Sequence, residues 1–193
     1  MIIKEKRTTK ETDIDITLNL YGSGKYSIST RLPFFDHMLD LFAKHSLIDL
    51  DLVCNGDIEV DSHHTVEDVG IMLGSCIKKA MGDGRGIKRY ASMYLPMDET
   101  LARVSLDVSG RPYLHYAVDA HHKMENGLEP QVFEEFFRGF IMSAGMTCHI
   151  EVLYGTNTHH KLEACFKGFA RCLRYALEND PRETGIPSSK GVL

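Results

Sequence analysis

His63-His64-Thr65-Val66-Glu67 and His159-His160-Lys161-Leu162-Glu163 stand 96 positions apart (159 − 63) in a chain of 193 residues. The same His-His-x-x-Glu pattern, half a chain apart, constrains the fold to two halves on one plan. Each copy heads a stretch with helical apolar spacing: Val66, Val69, Leu73, Cys76, Ile77 and Ala80 in the first, and 160–177 in the second. A third copy, His121-His122-Lys123-Met124-Glu125, falls outside the half-chain period. Asn126-Gly127 and Pro130 follow it where a helix would have to run, so it reads as an exposed loop.

The rest of each half repeats as well. In the first, Ile14, Ile16, Leu18 and Leu20 alternate with polar residues, as in a strand with one buried face. Gly22-Ser23-Gly24 then predicts a hairpin turn to a partner strand carrying Tyr26 and Ile28. A helix opens at Phe34-Phe35 and runs through Met38, Leu39, Leu41 and Phe42, and alternation returns at Ile48, Leu50 and Leu52. In the second half, strands are predicted over Tyr90–Leu95, Leu101–Val108 and Tyr113–Val118, a helix over Gln131–Ser143, a strand over Met146–Leu153 and a helix over His160–Leu177. Each half therefore reads hairpin, helix, strand, helix. The repeats occupy approximately 1–86 and 87–180 of a single compact domain, and 181–193 form a C-terminal tail.

Candidate ligands recur in register with the repeat. His37 on the first helix precedes His63 by 26 positions (63 − 37), and Glu135 on the third precedes His159 by 24 (159 − 135). On a helix, residues three and four apart share a face, so Glu67 sits beside His63 and His64, and Glu163 beside His159 and His160. Adjacent histidines diverge by about 100° and reach two ions more readily than they chelate one. Two facing pairs would hold two ions, each taking one histidine from each pair, with His37, Glu67, Glu135 and Glu163 completing the shells. Such nitrogen- and oxygen-rich sets suit manganese, iron, cobalt or zinc.

The remaining composition narrows the class. A net charge of −5 with no basic run argues against nucleic-acid binding. No stretch approaches the roughly 20 apolar residues that cross a bilayer. Met1–Arg7 lacks the apolar core of a signal peptide. Five cysteines with no Cys-x-x-Cys pair read as small buried hydrophobes in a reducing compartment. A cytoplasmic protein that binds neither membranes nor nucleic acid is expected.

With these residues in view, the chain resembles the imidazoleglycerol-phosphate dehydratases of histidine biosynthesis over nearly its whole length. The resemblance is carried by Arg7-Thr8-Thr9-Lys10-Glu11-Thr12, Phe35-Asp36-His37-Met38-Leu39 and Asp61-Ser62-His63-His64-Thr65-Val66-Glu67-Asp68. It continues through Pro96-Met97-Asp98-Glu99-Thr100-Leu101, Ser109-Gly110-Arg111-Pro112-Tyr113-Leu114, His159–Lys167 and Pro187-Ser188-Ser189-Lys190-Gly191-Val192-Leu193. The segment 118–132 departs from the family pattern.

That resemblance implies an α+β fold of two pseudo-symmetric halves, each a four-stranded, mostly antiparallel sheet backed by two helices, as in the second domain of ribosomal protein S5. It implies a homo-oligomer, a hollow 24-mer with active sites at subunit interfaces and two Mn2+ ions per site. The implied metal ligands are His37, His63, His64, Glu67, Glu135, His159, His160 and Glu163. Contacts to a small phosphorylated imidazole substrate fall to Glu11, His37, His45, Arg89, Arg111, Lys167, Ser189 and Lys190, the last two in the tail. Arg, Lys and small hydroxyls are what a phosphate dianion requires.

The implied reaction dehydrates imidazole glycerol phosphate to imidazole acetol phosphate through a dimetal-bound imidazolate. Glu163 and Glu67, then Glu11 and His45, are candidates to move protons. Two other readings of the same residues remain open at this point: a two-metal hydrolase, and a non-catalytic metal-binding oligomeric shell.

Overall fold

The computed structural model describes residues 1–120 and 128–193. The third His-His-x-x-Glu copy therefore lies outside the described residues. The first half runs β1 (Ile2–Thr8), β2 (Thr12–Asn19), β3 (Tyr26–Ser29), α1 (Pro33–Ser46), β4 (Asp49–Gly56) and α2 (His63–Met81). The second runs β5 (Tyr90–Met97), β6 (Thr100–Asp107), β7 (Tyr113–Ala117), α3 (Val132–Ala144), β8 (Thr147–Tyr154) and α4 (Thr158–Leu177). The sheets have matching orders, β1-β2-β4-β3 and β5-β6-β8-β7. In each, two strand pairs are antiparallel and one, β3 with β4 or β7 with β8, is parallel. No helix among the described residues is long and apolar enough to cross a membrane.

The predicted β2–β3 hairpin does not form. β2 pairs with β1 and β4, and β3 lies parallel to β4 on its other side. The Gly22–Gly24 turn instead carries the chain across the end of β4. There the Asp49 carboxylate accepts hydrogen bonds from the backbone N–H groups of Ser23 (2.8 Å) and Lys25 (3.0 Å), and Gly24 takes φ +77°. Those bonds hold the Asp49 carboxyl below its ordinary pKa. β1, which the periodicity did not reveal, is an edge strand with no fully buried residue. Its Lys4-Glu5-Lys6-Arg7 run carries no apolar alternation and suits an exposed edge.

The helices lie between the sheets. α1 and α2 cover the first and α3 and α4 the second, but the closest helix contacts cross between halves: α2 on α3 and α1 on α4. Pro33 starts α1 with its preset φ, and Gly145 at φ +71° ends α3 with its N–H bonded to the Ile141 carbonyl. Where the four helices meet, Phe35, Phe42, Phe133, Phe136, Phe137, Phe140, Phe166 and Phe169 are fully buried. Phe136 stacks on Phe166 at 5.1 Å and Phe140 meets Phe169 edge-on at 5.0 Å, geometries that add to area burial. All five cysteines are free and buried. Burial pushes the thiols of Cys54, Cys165 and Cys172 up to about 12, so they pack as hydrophobes.

Small residues set the α2–α3 distance. A Cβ on Gly70 would lie 2.4 Å from the Phe136 carbonyl oxygen, and one on Gly74 2.2 Å from that of Phe140. Gly139 of α3 is close but less tight, with the Glu67 carbonyl oxygen 3.0 Å from its Cβ position. Gly70→Ala or Gly74→Ala must push the helices apart, at an expected cost of about 1–3 kcal/mol each. Urea unfolding at fixed protein concentration should show the loss, and an unchanged midpoint would mean that the helix pair slides at no cost.

Candidate active site and metal centre

The heads of α2 and α4 are near copies in three dimensions. The His63 and His64 rings lie 6.3 Å apart and inclined at 78°; for His159 and His160 the values are 6.2 Å and 80°. The first histidine of each pair faces its own glutamate four residues on. His63 Nε2 is 3.4 Å from Glu67 Oε2, and His159 Nε2 is 3.0 Å from Glu163 Oε2. The second histidine of each pair turns the other way. His64 Nδ1 meets Asp57 at 3.1 Å and its Nε2 lies 3.9 Å from Glu11; His160 Nδ1 meets Glu99 at 2.7 Å and its Nε2 lies 3.8 Å from Asp98. The carboxylate bonds at Nδ1 raise the pKa of both rings.

α1 delivers the next donor. His37 Nε2 lies 3.8 Å from Glu163 Oε2, and its ring centroid is 5.8 Å from that of His159. Donor atoms of His37, His159 and Glu163 all fall within 4.8 Å of one another, and among the described residues they are the one such group. Two imidazole nitrogens and a carboxylate oxygen are donors that a divalent transition metal accepts, so these residues fit such an ion. The Phe34 ring meets the His159 ring at 5.2 Å and the His37 ring at 6.5 Å, both steeply inclined. Burial pushes the Glu163 carboxyl up, but bonds from Lys167 and His159 outweigh it and leave the pKa below its ordinary value. Glu163 is itself only 7% exposed, so an ionised carboxylate is held largely out of water beside two exposed histidines.

The crossed helix pairing decides which ligands meet. His37 of the first half joins His159 and Glu163 of the second because α1 lies on α4. By the same pseudo-symmetry Glu135 travels with α3 to α2, the helix of His63 and Glu67, although its carboxylate turns to Arg138 at 3.4 Å. Among the described residues, no compact donor group combines the two histidine pairs within a chain. A cleft of about 560 Å3 opens beside the first pair, bounded by Phe34, by Ser62 and His63 at the head of α2, and by Leu128 and Val132.

The anion-binding candidates separate into two groups. Lys167 reaches Glu163 and the sulfur of Met97 (3.9 Å). His45, in the last turn of α1, has its pKa lowered by burial and then by the charges of Lys167 and Arg171. Arg89 lies at the other end of α4, where its N–H bonds the Ala176 carbonyl. From Glu163 to Ala176 is 13 residues of helix (176 − 163), about 20 Å.

Arg111 and the tail belong to that far end too. The guanidinium of Arg89 donates to Asp107 (2.8 and 3.3 Å) and to the Pro187 carbonyl (2.8 Å), and Gly110 abuts Leu193. Ser189 and Lys190 are exposed on the docked tail. No small molecule can touch the Glu163 group and the Arg89 end of the same chain. Arg89→Ala should loosen the tail, seen as faster tryptic cleavage at Arg182 and Lys190; unchanged cleavage would mean that Leu193 and the Gly86–Gly185 bond suffice.

Asp57, Asp98 and Glu99 were not predicted as site residues. Asp57 had a positional signal, being one loop before His63 at the end of β4; Asp98 and Glu99, in the two-residue β5–β6 turn, had none, since β6, β7, α3 and β8 separate them from His160.

Comparison with known proteins agrees with this architecture. The sequence model of the imidazoleglycerol-phosphate dehydratase family matches residues 30–173. A protein of that name from Caldanaerobacter subterraneus is 54% identical over 188 residues, 97% of each chain. One from Rhodopseudomonas palustris is 53% identical over 189 residues, 97% of this chain and 96% of that one. Among solved structures, the dehydratase of Staphylococcus aureus superposes with a TM-score of 0.85 at 38% identity, covering 93% of this chain and all of that one. That of Pyrococcus furiosus, in complex with (S)-C348, gives 0.85 at 35% identity over 98% of this chain and all of that one.

Proposed function

The chain belongs to the imidazoleglycerol-phosphate dehydratase family, a hydro-lyase of histidine biosynthesis, and we propose that it works as a cytoplasmic, manganese-dependent enzyme whose active sites form between copies of itself. The observation that carries the metal dependence is the convergence of His37, His159 and Glu163. The hydrolase and the inert shell are set aside by family membership.

His37, His63, His64, Glu67, Glu135, His159, His160 and Glu163 would hold two divalent ions, as two donor sets brought together between neighbouring copies. When bound, the ions would supply Lewis acidity at the substrate's imidazole ring, an activation the reaction needs because no carbonyl stands beside the C–H that loses its proton. The hydroxyl leaves the carbon attached to the ring, and the adjacent carbon gives up its proton. The resulting enol then becomes the ketone.

The protein's own groups move those protons. Glu163 is ionised and anchored by Lys167 and His159, so one of its oxygens can act as a base at neutral pH. Glu67 is its more exposed counterpart on α2. Glu11 beside His64, and His45 kept neutral by burial and nearby cations, are the next proton carriers. Arg89, Arg111, Lys167, Ser189 and Lys190 bind the phosphate through charge-assisted bonds.

The same groups support assembly. Glu163 lies about 20 Å, and Lys167 about 14 Å, along α4 from the Arg89 end, so a complete site takes its phosphate-binding tail from a second copy. A closed homo-oligomer, the hollow 24-mer, places every copy in the same relation.

Turnover of imidazole glycerol phosphate by metal-stripped protein should be negligible and should return on addition of Mn2+. Stripped protein that keeps full activity would sink the metal dependence. Inactive Glu163→Gln chains refolded together with inactive Arg111→Ala chains should regain up to about a quarter of wild-type activity, because some sites then draw both intact residues from different copies. Mixtures that stay inactive would place both residues in one chain's site.

A further inference from the structure

The second histidine of each pair is held at Nδ1 by a carboxylate, and the two carboxylates come from non-equivalent places in the two halves. Glu99 and Glu11 are structural equivalents: Glu11 immediately precedes β2 and Glu99 immediately precedes β6. Simple duplication would have them do the same thing. They do not: Glu99 meets His160 at Nδ1, whereas Glu11 lies nearest to His64 at Nε2. The Nδ1 of His64 is taken by Asp57, from the loop after β4. Two halves reach one contact from non-equivalent positions, which duplication alone does not explain.

We propose that Asp57 and Glu99 are positioning residues that lock His64 and His160 as Nδ1–H tautomers, leaving each Nε2 lone pair free to bind a metal ion. This rests on the metal-dependent reading above. A ring nitrogen that donates to a carboxylate fixes both the tautomer and the direction of the opposite nitrogen, and makes it more basic.

The Glu99 carboxylate and the loop that carries Asp57 are themselves held. Glu99 Oε1 accepts from the N–H groups of Thr156 (3.0 Å) and Asn157 (2.8 Å) and from the Thr100 hydroxyl (2.9 Å), so only Oε2 is left to face His160. Asn157 in turn caps α4 by accepting the His160 N–H at 3.2 Å. Asp57 donates its own N–H to the Glu11 carbonyl at 3.0 Å, tying its loop to the β1–β2 turn, and the Val60 N–H closes the loop onto the Asp57 carbonyl at 2.8 Å. Its carboxylate has no other hydrogen-bond partner than His64 among the described residues. The division of labour follows: Asp57 orients His64 and leaves Glu11 free on the Nε2 side, while Glu99 is fully occupied as an orienting group.

Calorimetric titration of Mn2+ into the metal-free full-length protein tests this, with wild type, Asp57→Ala, Asp57→Asn and Glu99→Gln compared. Asp57→Ala should bind Mn2+ about 10–100-fold more weakly while the metal-free protein melts at the wild-type temperature. Asp57→Asn keeps an oxygen to accept the Nδ1–H and should recover most of that loss. Glu99→Gln reads the other pair: its single amide oxygen stays on the Thr156 and Asn157 N–H groups, so its NH2 faces His160 Nδ1 and favours the opposite tautomer, weakening binding by a similar factor. Wild-type affinity in Asp57→Ala and Glu99→Gln would overturn the positioning role and leave the metal reading intact. A wild-type protein that takes up no Mn2+ would overturn the metal reading and this inference with it.

Discussion

The backbone of α2 lies against the backbone of α3 because Gly70 and Gly74 have no side chains to hold them apart, and most of the site geometry follows from that contact. With α2 seated on α3, α1 is left to pack on α4, and each half of the chain lends its first helix to the other half's second. His37 thereby reaches Glu163, which lies 126 positions away in sequence (163 − 37). A bulkier residue at Gly70 would change the spacing of helices whose ends carry the candidate ligands. The aromatic layer between the four helices makes the arrangement stiff, since close-packed rings leave little room for a helix to slide.

Charge at the helix heads is arranged around this frame. Helix N-termini disfavour added positive charge, yet both α2 and α4 begin with paired histidines. Asp57, Glu11, Asp98 and Glu99 surround those rings from the loops and turns at the sheet ends, and Glu67 and Glu163 from one turn further along each helix. The carboxylates offset the helix dipole and stabilise the rings in fixed orientations. The halves share this plan without sharing every residue, and the departures fall at Asp57, Glu99 and Glu135.

Much of the fold was legible in the chain. The strands of the second half and both long helices lie within a few residues of their predicted limits, because alternation and helical spacing there are strong. The first half was harder. β1 is an exposed edge whose Lys4–Arg7 run hides a period of two, and Gly22-Ser23-Gly24 looks like a hairpin turn although β3 joins the far side of β4. A glycine-rich turn reports only that the chain bends; which strand it bends towards is settled by long-range pairing.

What the sequence determined by itself was the duplication, the pairing of histidines with glutamate on one helical face, and the family. These are local or periodic properties, set by side-chain spacing and by residues that can be quoted in order. Only the tertiary structure decided that His37 meets His159 and Glu163, that Asp57 and Glu99 hold the second histidines, and that Arg89 is engaged with Asp107 and Pro187 some 20 Å from Glu163. Each of these joins residues distant along the chain. Their proximity is fixed by which helix packs on which, and that choice depends on the close fit of glycine to carbonyl and ring to ring, which no local pattern records.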